Sequence, residues 1–181
     1  MLISVSYSEI MMKGGNRGSF ERLLTKNILA MLCGIGTFTT TNIGGRILLS
    51  CAEPADMESA RTALLHTFGI DSLSFPIQAK ASIDDIMKSV LENSSDLPGK
   101  KIRVEAKRSD KSFPVKSQQI NQMVGKALVD RGCRVDLENP DKTIFIDILP
   151  GKALIYCERI RCLGACLLVP AEKRSLCFPE A

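Results

Sequence analysis

The sequence has 181 residues, of which 45% are hydrophobic and 24% are charged, a composition that is typical of folded globular chains and argues against disorder. No apolar run approaches the roughly 18 residues that a membrane-spanning helix needs, and the first residues are too few and too uncharged for a signal peptide. The seven cysteines are odd in number and irregular in spacing, which argues against a secreted disulfide framework. We therefore expect a cytoplasmic chain with no membrane partner, large enough for one domain or two small ones.

The first half of the chain predicts elements in the order βαββαβ, which is a ferredoxin-like arrangement. A half-buried strand is expected over residues 2–7 and an amphipathic helix over 19–31. A hairpin follows, with Gly44-Gly45 as its turn. Asp56 can cap a second helix that ends near His66, and the segment from Ser72 to Ala79 is predicted to be one further strand.

The second half predicts a separate small α/β domain, with the boundary between residues 76 and 81. Ser82 can cap its first helix, a strand is expected from Lys101 to Ala106, and a basic loop follows as far as Pro114. Another helix begins at Ser117, and a hairpin is predicted over residues 143–157. The fold class is therefore α+β: a ferredoxin-like domain followed by a small α/β domain.

The formal net charge of +4 is concentrated in residues 100–116, which contain seven basic and two acidic residues. The basic residues are Lys100, Lys101, Arg103, Lys107, Arg108, Lys111 and Lys116. Because phosphate contacts supply most non-specific nucleic-acid affinity, a localised basic stretch indicates a polyanion site. The alternative is a solvated surface that binds nothing.

Several short motifs, in one order and at matching spacing, carry a resemblance to a known family. In the first half they are Tyr7-Ser8-Glu9-Ile10, Lys13-Gly14, Asn16-Arg17 and Phe20-Glu21. In the second half they are Ala106-Lys107-Arg108, Asp110-Lys111, Phe113-Pro114, Ser117, Ile120-Asn121, Val135-Asp136-Leu137 and Asn139-Pro140-Asp141. From Leu2 to about Gly164 the chain resembles the tRNA 4-thiouridine synthase (ThiI) family, which also serves thiamine biosynthesis. Ser8 departs from the glycine that is usual there.

The resemblance implies a ferredoxin-like domain over residues 1–76 and a THUMP domain over 77–164, which together bind tRNA at its acceptor region and 3′ end. Lysine and arginine suit this role, because A-form RNA is recognised by its shape, phosphates and 2′-hydroxyls. An RRM is not expected, since the chain lacks the aromatic-rich motif that stacks single-stranded bases. The candidate RNA-binding residues are Lys107, Arg108 and Lys111, then Lys101, Arg103 and Lys116, and finally Lys13 and Arg17. Phe113-Pro114 can instead serve packing and loop rigidity, and Asn121 can simply order its helix surface.

The family's catalytic part has no counterpart in this sequence. In the family, an ATP pyrophosphatase domain follows, with a phosphate loop for ATP, magnesium as a second cofactor, and cysteines that carry sulfur from a cysteine desulfurase. No catalytic residue and no cofactor are therefore assigned to this chain, which is expected to be inactive alone. A homodimer is expected of the full-length enzyme.

Residues 165–181 do not resemble the family and are predicted to be an irregular tail. With freely chosen codons, one nucleotide string encodes the family's usual continuation after Gly164, and deletion of its first G gives residues 165–181 followed by a stop codon. We therefore expect a one-base frameshift, in the gene or in its sequencing. Because two cysteines of the loose cluster Cys157, Cys162, Cys166 and Cys177 lie in this tail, no metal site is expected.

Two alternative functions stay open beside the tRNA-recognition half of a sulfurtransferase. The chain could be a standalone THUMP RNA-binding module that acts with a separate modifying subunit. It could also be an inert truncated remnant whose basic loop is only solvated.

Overall fold

The structure is a computed structural model that describes residues 2–7, 17–51 and 56–162, with only the backbone of Arg17. The first domain contains the predicted βαββαβ order and a later strand. Its elements are β1 (Leu2–Tyr7), α1 (Arg17–Met31), β2 (Phe38–Ile43), β3 (Arg46–Cys51), α2 (Met57–Leu65), β4 (Ile70–Ser74) and β10 (Ile160–Arg161). Its five-stranded antiparallel sheet has the order β10-β4-β1-β3-β2.

Side chains along each strand point alternately to the two faces of this sheet, one covered by the helices and the other open. Ile3 and Val5 of β1 are fully buried in one core with Ile28 of α1 and Leu64 of α2. The intervening side chain of Ser4 lies on the other face. The N-terminal cap of α2 is as predicted, since the Asp56 carboxylate accepts hydrogen bonds from the backbone N–H groups of the first turn.

The second domain has its own mixed sheet, in the order β5-β9-β8-β6-β7. Its elements are β5 (Ile77–Lys80), α3 (Ile83–Glu92), β6 (Lys101–Arg108), α4 (Ser117–Val129), β7 (Arg134–Val135), β8 (Lys142–Leu149) and β9 (Lys152–Tyr156). β6 runs parallel to β8 and β7, and the other pairs are antiparallel. Both helices pack on one face over a core that includes Ile86, Ile102, Ile120 and Ile146. The predicted α+β fold class is thereby confirmed.

Two predicted boundaries are wrong. The single strand expected from Ser72 to Ala79 is two strands, because β4 ends at Ser74 and β5 begins at Ile77 in the other sheet. The prediction failed because apolar residues alternate without interruption across the break, at Leu73, Phe75, Ile77 and Ala79, and only the pairing partners separate the two strands. In addition, β6 continues through Arg108, so Lys107 and Arg108 lie in a strand and not in the loop.

The open faces of the two sheets pack against each other. Leu48 of β3 forms a small buried cluster with Leu149 of β8 and Leu154 of β9. Beside it, Arg46 makes an ion pair with Asp147 across the domain boundary, and their side chains are only 11% and 7% exposed. The chain also returns to the first sheet after the second domain, since β10 pairs with β4. The predicted limits of 1–76 and 77–164 stay predictions.

Within the described ranges, none of the helices has the length and apolarity that crossing a membrane requires. The tail predicted for residues 165–181 lies outside the described residues, as do Cys166 and Cys177.

Candidate nucleic-acid interface

Strand β6 carries three of the predicted basic residues on one face of the second sheet. Ile102 and Val104 point into the helix-covered core. By alternation, Lys101, Arg103 and Lys107 therefore lie on the opposite face. Lys107 lies six positions after Lys101, which is about 20 Å along an extended strand. The basic residues therefore divide between two ends of the sheet.

At the amino end of β6 the basic side chains are paired with acids. Lys101 Nζ lies 3.1 Å from Asp136 Oδ2, and Arg103 Nη2 lies 3.6 Å from Glu105 Oε2. Backbone N–H bonds from Asn139, together with Lys101, lower the pKa of Asp136. Lys101 and Arg103, predicted as flanking RNA contacts, thus have protein partners already.

At the carboxyl end of β6 the lysines are not paired with any described acid. Lys107, Lys111 and Lys116 are exposed, and within the described part of the chain none of them makes an ion pair. These three lysines surround the loop of residues 109–116, which connects β6 to α4. We call them the loop lysines. Their positive charge is available to an external anion.

Arg108 shapes this loop from inside. Its Nη1 donates to the carbonyl oxygens of Phe113 at 2.9 Å and of Val115 at 3.1 Å, while its buried Nε has no hydrogen-bond partner among the described residues. The Phe113 side chain is 7% exposed and belongs to the core of the second domain. The packing interpretation of Phe113 is therefore correct, and Arg108 connects its strand to the loop backbone.

Three further contacts fix the loop and the end of β6, and the sequence pattern predicted none of them. Asn121 of α4 accepts a 2.7 Å hydrogen bond from the backbone N–H of Ala106 at its Oδ1, so it joins helix to strand and does not simply order the helix surface. Ser109 donates to the carbonyl of Gly44 in the β2–β3 turn at 3.4 Å. The first turn of the loop, residues 110–112, is closed by Asp110, whose pKa is lowered chiefly by the Ser112 hydroxyl.

The β2–β3 turn brings the first domain to the same end of the second sheet. Gly44 has φ +58° and approaches Leu149 so closely that a Cβ on it would lie 2.5 Å from Leu149 Cδ2. β1 ends beside this turn, because Ser6 pairs with Arg46 in the sheet. Of the two candidates from the first domain, Lys13 and the side chain of Arg17 lie outside the described residues.

No metal-binding geometry is found in the part of the chain that the structure describes. No three His, Cys, Asp or Glu side chains lie close enough together there to share an ion. Cys157 is exposed, whereas Cys162 is buried in the first core, where burial raises its pKa to about 11. His66 is exposed, and its Nδ1 lies 2.8 Å from the carbonyl oxygen of Thr62.

Comparison with known proteins assigns both domains. The model of the ThiI ferredoxin-like domain matches residues 2–74, and the model of the THUMP domain matches residues 67–158. A probable tRNA sulfurtransferase of Moorella thermoacetica is 34% identical over 154 residues, which are 84% of this chain and 39% of that protein. The chain spans about two fifths of the length of the curated relatives it matches.

Solved structures agree with this assignment. PH1313 from Pyrococcus horikoshii superposes with a TM-score of 0.78 at 32% identity, over 89% of this chain and 55% of that one. A 4-thiouridine synthetase in complex with RNA and ATP superposes with a TM-score of 0.69 at 26% identity, over 89% of this chain and 42% of that one. The chain therefore belongs to the THUMP family, in the ThiI arrangement that places a ThiI ferredoxin-like domain before the THUMP domain.

Proposed function

We propose that this chain binds tRNA and is the RNA-recognition part of a tRNA sulfurtransferase that forms 4-thiouridine. The observation that carries the proposal is the set of loop lysines: three exposed cations in a THUMP domain, without ion-pair partners among the described residues. Unpaired cations are what a phosphate-binding surface requires, because each lysine that neutralises a phosphate releases counterions condensed on the RNA and so adds to affinity. The RNA complex of the related synthetase supports the same reading.

The eight predicted residues have different roles in this proposal. Lys107, Lys111 and Lys116 contact phosphates directly. Arg108 contributes first by fixing the loop, and a direct phosphate contact is proposed for it only as a second role. Lys101 and Arg103 contribute least, since each would have to leave an acid partner, and Lys13 and Arg17 are proposed to extend the surface in the first domain.

The remaining parts of the proposal concern the whole sulfurtransferase. We propose that ATP, magnesium and the sulfur-carrying cysteines act outside residues 2–162, with sulfur from a cysteine desulfurase also feeding thiamine synthesis. A homodimer and a cytoplasmic location belong to the same proposal. They rest on kinship with the curated tRNA sulfurtransferases.

The test is the salt dependence of tRNA binding by fluorescence anisotropy, between about 50 and about 200 mM salt. Wild type is compared with a Lys107→Ala, Lys111→Ala variant. We expect weaker binding and a slope of log K against log salt that is smaller by about two, or about one per lost phosphate contact. The proposal fails if this variant binds as wild type does, or if wild type shows no salt-dependent binding.

A charge-matched control is available in the same domain. Lys88 and Lys100 make ion pairs with Glu92 at 3.9 Å and Asp96 at 3.5 Å. A Lys88→Ala, Lys100→Ala variant loses the same net charge, and we expect it to keep the wild-type slope.

A further inference from the structure

Two lysines at the other edge of the second sheet face each other directly. In the antiparallel pair of β5 and β9, Lys80 is the Cα partner of Lys152. Like charges directly opposite on one face repel each other and destabilise a sheet. Lys80 is exposed and Lys152 half-buried, and no ion pair joins either of them to another described residue. The fold thus contains an unfavourable pair that nothing in the described part of the chain compensates.

This pair lies on the same face and at the same end of the sheet as Lys107. Leu154 of β9 packs towards the first domain, and alternation places Lys152 on that same face. Lys152 is the Cα partner of Leu149, the last residue of β8, and Ser109 follows the end of β6. Three strand spacings separate β5 from β6, which is about 14 Å. The β2–β3 turn rests on Leu149 and Ser109 between the two groups, so one RNA backbone reaches both groups of lysines by passing over that turn.

The acids near this end have partners other than these lysines, and Asp110 of the loop accepts hydrogen bonds from Ser112. Asp147, the carboxylate on the same face, is already paired with Arg46. Asp85 lies on α3, which covers the opposite face, and accepts a hydrogen bond from the Ser82 hydroxyl. By contrast, lysines near the amino end of β6 have an acid partner, since Asp96 pairs with Lys100 at 3.5 Å and with Lys142 at 2.6 Å.

We infer that Lys80 and Lys152 form a second phosphate-binding group, which extends the RNA surface from the loop lysines across the carboxyl end of the second sheet. The inference rests on the proposed function, and it deepens that function by adding two contacts that the basic stretch of the sequence does not contain. An RNA phosphate between two facing ammonium groups removes their repulsion, so the like-charge pair costs stability in the free protein and gains affinity in the complex.

The experiment uses a Lys80→Ala, Lys152→Ala variant and an in vitro transcribed tRNA in the same salt series. We expect weaker binding and a slope smaller by about two, equal to the change for Lys107→Ala, Lys111→Ala. Circular dichroism checks folding, and the melting temperature should be no lower than that of wild type, because the variant loses a repulsive pair. The Lys88→Ala, Lys100→Ala variant is again the charge control.

A second variant separates function from fold. Lys80→Glu places opposite charges face to face, so the melting temperature should rise while tRNA affinity falls. The inference is overturned if both variants fold and bind tRNA with the wild-type slope while Lys107→Ala, Lys111→Ala weakens binding. If none of these variants changes binding, the inference and the proposed function both fail.

Discussion

The ion pair between Arg46 and Asp147 makes the stability of the domain interface sensitive to the loss of either partner alone. Arg46 Nη1 donates to Ser6 Oγ at 2.8 Å and Nη2 makes the ion pair, while the Tyr156 hydroxyl donates to Asp147 Oδ2 at 2.6 Å. The Asp147 residue is 5% exposed. Burial beside Asp147 raises the pKa of Tyr156, which keeps its hydroxyl protonated as a donor.

Removal of one partner leaves the other charge buried and uncompensated. For such pairs the loss is about 3–5 kcal/mol, against about 0–1 kcal/mol for an exposed pair. We therefore expect Arg46→Met alone, and Asp147→Leu alone, each to lower the free energy of unfolding by about 3–5 kcal/mol. This is a large share of a total that is typically about 5–15 kcal/mol.

The double variant Arg46→Met, Asp147→Leu should lose less than either single variant. It leaves no unpaired charge, and apolar side chains of similar volume can replace a buried pair at little cost. The assay is urea denaturation followed by circular dichroism, with small-angle X-ray scattering to report whether the two domains stay together. A loss below about 1 kcal/mol in both single variants would refute the reasoning, because it would show that the pair is solvated and the two sheets are not in contact.

Three other variants test single contacts. In urea denaturation, Gly44→Ala should destabilise the protein by about 1–3 kcal/mol more than Gly34→Ala. Both glycines have positive φ, but an added Cβ meets a neighbouring atom only at Gly44 of the two. Equal losses of stability would contradict the close contact of the turn with Leu149. Phe113→Ala should lower the free energy of unfolding by about 3–5 kcal/mol, because Phe113 is a buried core residue that anchors the loop. It should also weaken tRNA binding without changing the salt dependence, since Phe113 carries no charge. A changed salt dependence would contradict this role. Burial raises the pKa of the Cys162 thiol to about 11, from an ordinary value of 9.0. The buried, protonated thiol therefore contributes stability below pH 9.0, and this contribution is lost as the pH rises to about 11. The melting temperature of Cys162→Ala should therefore fall less than that of wild type across this range, and parallel curves would show that the thiol is not buried.

The sequence by itself determined the helices, most of the strands and the family. Helix α2 and helix α3 begin where Asp56 and Ser82 allow a cap, and the structure shows both side chains accepting first-turn N–H bonds. Caps and helical periodicity depend on residues within about four positions, so they can be read from one segment of chain. The basic stretch that includes Lys107 and Lys111 is likewise a local property of the sequence.

Only the tertiary structure decided which charges are available. Lys101 and Lys107 look alike in sequence, but Asp136 pairs with one of them and no described acid with the other. Lys80 and Lys152 lie far from the basic stretch in sequence and reach its end of the sheet only through strand pairing. Such pairings depend on strand register and on which faces become buried, which are set by the whole domain and not by neighbours along the chain.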